Sequence, residues 1–171
     1  MQRDLTGPSQ AQSIRDLLQS LFLLEIVKPS KRIWLGSAWI SDIAIINNRA
    51  KQCASFEPDW PEDYISLVKV LESIAKRGTE VIIITRNERT NHSFIEKIEH
   101  ISKTYSNLKL ILKDEFHEKG LLGTNYELMG SMNFTYNGIQ INDEHIKYTF
   151  DKEVAAQRQI EMMQKYGEDI L

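Results

Sequence analysis

The sequence is poor in the features that hold small or unusual architectures together. It has one cysteine, Cys53, so no internal disulfide can form, and no Cys/His cluster shows zinc-ligand spacing. Four prolines and eight glycines in 171 residues are too few for a collagen-like or low-complexity chain. The longest apolar run near the N-terminus, residues 21–24, is far too short to span a bilayer, and residues 1–8 lack the apolar core of a secretory signal. Basic residues do not dominate: 21 Lys+Arg stand against 24 Asp+Glu, for a net charge of −3. That balance argues against non-specific coating of duplex nucleic acid, though it leaves room for a local basic cleft. A cytoplasmic protein without membrane contact is expected, forming a single domain over residues 1–171. A chain of this size buries roughly 70% of its unfolded surface, so it needs no metal or disulfide to fold.

What is present is patterned. Ile14, Leu17, Leu18, Leu21 and Leu24 form an apolar stripe that predicts a helix over residues 9–27. Residues 32–40 read as a strand, and residues 43–46 fit either a continuing strand or a short helix. Pro58 and Pro61 make residues 56–61 a loop. Tyr64, Leu67, Val68, Leu71, Ile74 and Ala75 predict a helix from residue 62 onwards that Gly78 stops. The uninterrupted apolar run at residues 81–85 predicts a strand covered on both faces. A helix over residues 91–101 and a strand over 108–112 follow. Alternating helices and strands imply an α/β fold: a mixed, largely parallel sheet flanked by helices on both faces. Beyond it, residues 116–123, 126–134 and 141–150 read as strands, and residues 152–166 as a closing helix.

The candidate chemistry lies in this last part, at His117 and Lys119, Ser131 and Asn133, and Asn142 and Glu144. Extended chain alternates its faces, so His117 and Lys119 point the same way, as do Ser131 and Asn133. Two strands joined at Thr124 and Asn125 would bring the four groups to one end of a sheet. The set suits phosphate. An imidazole can attack phosphorus or protonate a leaving oxygen, while an ammonium and an amide can hold the non-bridging oxygens. Glu144, on a third strand, could bond the free ring nitrogen and fix its tautomer.

His117-x-Lys119, Gly130-Ser131-x-Asn133 and Asn142-x-Glu144 together resemble the HKD signature of the phospholipase D superfamily, most closely its small, single-motif, nuclease-like members. Residues 117–123 with 130–138 are also similar to the phospholipase-D-like component of bacterial 7-deazaguanine DNA modification and restriction systems. The resemblance implies that His117 forms a phosphohistidine and that Lys119 and Asn133 bind phosphate. Ser131 and Asn142 would assist in binding, and Glu144 would orient the histidine. It implies no metal and no cofactor. Because each site in the family uses two motifs and this chain carries one, it also implies a homodimer with a second His117 as general acid. DNA rather than RNA is the implied substrate, with other proteins of a defence system as partners. The family carries an aspartate where this sequence has Thr124.

Other readings attach to the same residues. A subunit that keeps the phosphate pocket for binding alone is the alternative to an enzyme. A lipid phosphodiesterase is disfavoured by the lack of a basic amphipathic helix. Arg86 and Arg89, following the buried strand, are candidates for contacting a phosphate backbone. Trp34 and Trp39 read as packing residues, with base stacking the rarer use. His145 reads as structural, and His92 and His100 as surface residues.

Overall fold

A computed structural model describes residues 2–6, 11–140 and 145–170. In chain order the elements are β1 (Gln2–Thr6), α1 (Ala11–Val27), β2 (Arg32–Gly36), β3 (Ala44–Asn47), β4 (Tyr64–Ser66), α2 (Leu67–Lys76), β5 (Glu80–Arg86), α3 (His92–Ser102), β6 (Leu108–Lys113), β7 (Gly120–Leu122), β8 (Glu127–Gly130), α4 (Tyr136–Gln140), β9 (His145–Thr149) and α5 (Lys152–Tyr166).

Seven strands form one sheet in the order β1-β9-β8-β7-β2-β5-β6, and β3 pairs β4 separately. β2, β5 and β6 are mutually parallel neighbours. β7, β8, β9 and β1 extend the sheet through antiparallel pairings. Two reversals in that extension turn β8 and β1 back to the direction of β2, so five of the seven strands run the same way. This is the expected mixed α/β sheet with helices on both faces.

β5 shows why. Its residues Val81 and Ile83 enter a core built with α1, α2 and α3, and Ile82 and Ile84 enter a second core with α5. A strand covered on both sides has no polar face to show, so its sequence is a continuous apolar run. Each such side chain contributes roughly 1.5–3 kcal/mol by burial. The α5 side is smaller, with Trp34, Phe116, Leu122, Met162 and Tyr166 among its members.

Several boundaries differ from the sequence expectation. α2 begins at Leu67, and Tyr64 lies in β4. Two side chains fix the helix start: Ser66 Oγ accepts from Lys69 N–H, and Asp42 Oδ1 accepts from Val68 N–H at 2.9 Å. Residues 43–46 resolve towards a strand, β3. β2 stops at Gly36, and residues 37–40 leave the sheet. β7 and β8 are shorter than the strands expected over 116–123 and 126–134, so His117 and Lys119 precede β7 and Ser131 and Asn133 follow β8. β1 and α4 were not expected.

Candidate active site

The site forms where the chain exits the sheet at the C-terminal ends of β2 and β5. Gly36 pairs with Gly120, so the segment entering β7 passes directly beside the end of β2. Extended chain alternates its side chains whether or not it is paired. Accordingly Phe116 joins the α5-side core, and Glu118 bonds to α5 at Arg158 (2.7 Å), Lys165 and Tyr166 (3.3 Å). His117 instead meets Arg86 of β5. His117 is exposed, and the Lys119 ammonium donates to its carbonyl at 3.2 Å.

Arg86, the last residue of β5, reaches across this exit. Its Nε donates to the Phe116 carbonyl at 2.9 Å, and one terminal nitrogen lies 3.1 Å from both ring nitrogens of His117. The lone-pair directions of those ring nitrogens diverge, so one donor cannot lie along both, and the guanidinium packs against the imidazole. The guanidinium carbon is also 5.2 Å from the Trp39 ring centroid.

The strand exits of β2 and β8 run side by side. Ile40 bridges Phe134, Ser41 N–H donates to the Phe134 carbonyl, and Ser37 Oγ accepts from Phe134 N–H while donating to the Trp39 carbonyl. Asn133 is thereby set beside Trp39, whose backbone N–H donates to Asn133 Oδ1 at 3.3 Å. Buried Asn91 ties the β2 exit to the end of β5: its amide donates to Ala38 O, Thr85 Oγ1 and Arg86 O, and accepts from Ile40 N–H. Ser131 exchanges two bonds with His145, each 3.0 Å long. His117, Arg86, Trp39 and Asn133 therefore form one connected chain of contacts, and Gly130 N–H to the Lys119 carbonyl at 3.2 Å joins the two sides.

Asn142 and Glu144 lie outside the described residues. Arg86 was foreseen as a candidate only for backbone contact, and its packing on His117 had no sequence signal. Arg89 starts the short 3-10 turn that carries Asn91, and its side chain makes none of these contacts. Trp34 is buried as expected, but Trp39 is 41% exposed and belongs to the site instead of the core. Thr124 is at the other end of β7, where its hydroxyl accepts from Lys31 N–H and its own N–H donates to Ser30 Oγ.

A cleft of about 310 Å³ opens from His117 and Lys119 along Met129 and Lys147 to Arg158 and Met162. Glu118, on its wall, is partly buried, which by itself would raise its pKa. The bonds and charges of Lys165 and Arg158 outweigh burial and hold it below the usual carboxylate range. Glu127, on the same wall, is pushed up by burial despite Arg158. Among the described residues no group of three or more His, Cys, Asp or Glu is placed to hold a metal ion, and no helix is long and apolar enough to cross a membrane.

The family model described as "Cardiolipin synthase, PLD-like domain" matches residues 43–166. No curated protein matches the chain. Nuc from Salmonella typhimurium, a phospholipase D family member, is similar with a TM-score of 0.62 at 20% identity, over 98% of this chain and 95% of that one. NucT from Helicobacter pylori gives 0.60 at 15% identity, covering 96% and 94%. Polyphosphate kinase from Porphyromonas gingivalis gives 0.62 at 13% identity over 96% of this chain but 26% of its own length. At these identities the likeness is one of fold.

Proposed function

The chain belongs to the phospholipase-D-like domain family, and on that premise we propose that it is a metal-independent phosphodiesterase acting on nucleic acid. The observation that carries this reading is the packing of Arg86 on His117 at the C-terminal exit of β5, with Lys119 two residues further on and Asn133 linked to Arg86 through Trp39. An imidazole, an ammonium, an amide and a guanidinium are together suited to bind and transfer one phosphate.

In the first step a His117 ring nitrogen attacks phosphorus. A P–N bond forms, the P–O bond to the leaving group breaks, and a general acid gives that oxygen a proton. In the second step water attacks phosphorus, the acid's conjugate base takes the water's proton, and the P–N bond breaks. Lys119, Asn133 and Ser131 hold non-bridging oxygens throughout. Glu144 would orient His117, and Asn142 would add a further contact. The general acid is His117 of a second copy, so the active species is a homodimer with its site on the two-fold axis. The similarity of residues 117–123 and 130–138 to DpdK, the phospholipase-D-like component of 7-deazaguanine DNA modification systems, favours DNA and a role in restriction.

A second reading rests on Arg86. Its guanidinium lies against both ring nitrogens of His117 and must shift before that ring can attack. A subunit that binds phosphate without turnover would keep this contact.

The test is hydrolysis of a chromogenic diester and of single- and double-stranded oligonucleotides in EDTA, comparing the wild type with His117→Asn. His117 is exposed, so the substitution leaves the fold intact. Cleavage by the wild type alone is expected, from a species that sediments as a dimer. Equal rates for both proteins would refute the assignment of His117, and no turnover from a folded dimer would favour the binding subunit.

A further inference from the structure

The three tryptophans are treated differently by the fold. Trp34 is 1% exposed and its indole N–H donates to Gln159 Oε1 at 2.8 Å. Trp60 is 3% exposed and its indole N–H donates to Ser73 Oγ at 3.0 Å. Trp39 is 41% exposed, and among the described residues its indole N–H makes no hydrogen bond. An indole carries the largest apolar surface of any side chain, so leaving it in water forfeits burial energy that the other two collect. Its backbone is nevertheless held firmly: N–H on Asn133 Oδ1, carbonyl on Ser37 Oγ, and the following N–H, that of Ile40, on buried Asn91. The ring is therefore open on a backbone that is held in place, and that backbone is bonded to Asn133, a proposed phosphate ligand on the segment after β8.

Arg86 adds the second observation. Its guanidinium lies over the indole ring and also against the His117 imidazole. Indole and phosphate site are thus about one side chain apart, the spacing of a base and its own backbone phosphate. A cation behind an indole is electrostatically suited to a planar, electron-rich ring in front of it. It is unsuited to a cationic lipid headgroup, which Arg86 would repel.

We infer that Trp39, backed by Arg86, is a stacking platform for one unstacked nucleobase beside the phosphate site, so that the site takes single-stranded nucleic acid in preference to duplex. This rests on the proposed reading of the site as one for nucleic acid. A base in a duplex has both faces occupied by its neighbours, and exposing one costs a few kcal/mol of stacking and pairing. A single strand offers the face at little cost, and stacking on an aromatic side chain is indifferent to which base it is.

Binding separates this inference from catalysis. Fluorescence anisotropy would follow labelled oligodeoxythymidylate, the same strand made of abasic residues, and the duplex. The proteins would be wild type, Trp39→Ala and Trp39→Phe, each also carried on a His117→Asn background so that turnover does not consume the ligand. Trp39→Ala should weaken binding of the single strand roughly ten-fold, the size of one lost stacking contact. It should leave the abasic strand within two-fold, and Trp39→Phe should recover most of the loss. The wild type should bind the single strand more tightly than the duplex. Equal loss on intact and abasic strands, no loss with Trp39→Ala, or no binding of any oligonucleotide by the wild type would overturn the platform. If the wild type binds single strands through Trp39 yet cleaves nothing, the platform stands and the phosphodiesterase reading falls. If it cleaves diesters and Trp39→Ala changes nothing, only the platform falls.

Discussion

Replacing Gly130 by alanine tests how the site is held together. An added Cβ would lie 2.0 Å from the His145 carbonyl oxygen, 3.0 Å from its carbon and 3.1 Å from Ile146 Cα. All three atoms are backbone, so no side chain can swing aside. Relief requires β8 and β9 to separate at the Gly130–Ile146 pair, where neighbouring strands normally stand about 4.8 Å apart. It would also break the two 3.0 Å bonds by which Ser131 grips His145. Overpacking costs 1–3 kcal/mol where side chains can adjust, so Gly130→Ala should lose about 3 kcal/mol. Gly167→Ala is the control. Gly167 has ordinary helical angles, φ −60 and ψ −34, and its one close neighbour is the flexible end of Met163 at 3.3 Å. That substitution should be neutral or stabilise by about 0.4–1 kcal/mol. Urea unfolding followed by tryptophan fluorescence measures both. A Gly130→Ala protein within about 0.5 kcal/mol of wild type, with phosphodiester cleavage intact, would refute the argument that close strand approach builds the site.

Two buried or partly buried carboxylates should give opposite pH signatures. Glu25 is raised by burial, against the lowering bonds from Ser30, so its contribution is full below the unfolded-state pKa and is lost as pH rises through the folded value. The Tm of Glu25→Gln relative to wild type should therefore be higher at pH 7 than at pH 4, and thermal scans showing the reverse order would exclude a destabilising charge there. Glu118 is lowered, because the Lys165 and Arg158 interactions outweigh its burial, so its contribution is full above the unfolded-state pKa and disappears as pH falls through the folded value. Glu118→Gln should cost no more than about 1 kcal/mol at pH 7, given a partly solvated site, and nothing near pH 2. A cost that persists unchanged into acid would mean that packing, not charge, holds the segment before β7 to α5.

The legible parts of the fold were those decided locally or by two-sided burial. Residues 81–85 declare a central strand because both faces of β5 are covered, and α5 declares itself by an apolar stripe and by Asp151, whose Oδ1 accepts from Glu153 and Val154 N–H. Tyr64 fits the helical spacing of α2 as well as Leu67 does. Asp42, 26 residues away, caps the helix and excludes it, which no local pattern records. β1 has one partner strand, β9, and no apolar alternation to mark it. That Phe116 and Glu118 turn to α5 while His117 meets Arg86 agrees with the alternation expected of an extended chain. Arg86 and Trp39 were ambiguous for a different reason: their meeting depends on three separate strand exits arriving at one place.

The same geometry accounts for Thr124, the position where the resemblance of the motif leads one to expect an aspartate. Seven extended residues separate it from His117, roughly 20 Å of chain, and β7 carries them to opposite ends of the sheet. There the Thr124 backbone N–H bonds Ser30 Oγ, and Ser30 in turn donates from both its hydroxyl (2.7 Å) and its backbone N–H (2.8 Å) to Glu25. A carboxylate is thus already present at that end, supplied from α1 and buried. A second one at position 124 would bring like charge close to a group that burial already disfavours in its ionised form. A hydroxyl accepts the Lys31 N–H without adding charge. The departure from the family pattern is thus a local exchange in how the turn before β2 is tied to the turn after β7. It leaves His117, Lys119 and Asn133 their surroundings, so any weakness in turnover must come from the site end, where Arg86 lies on the imidazole.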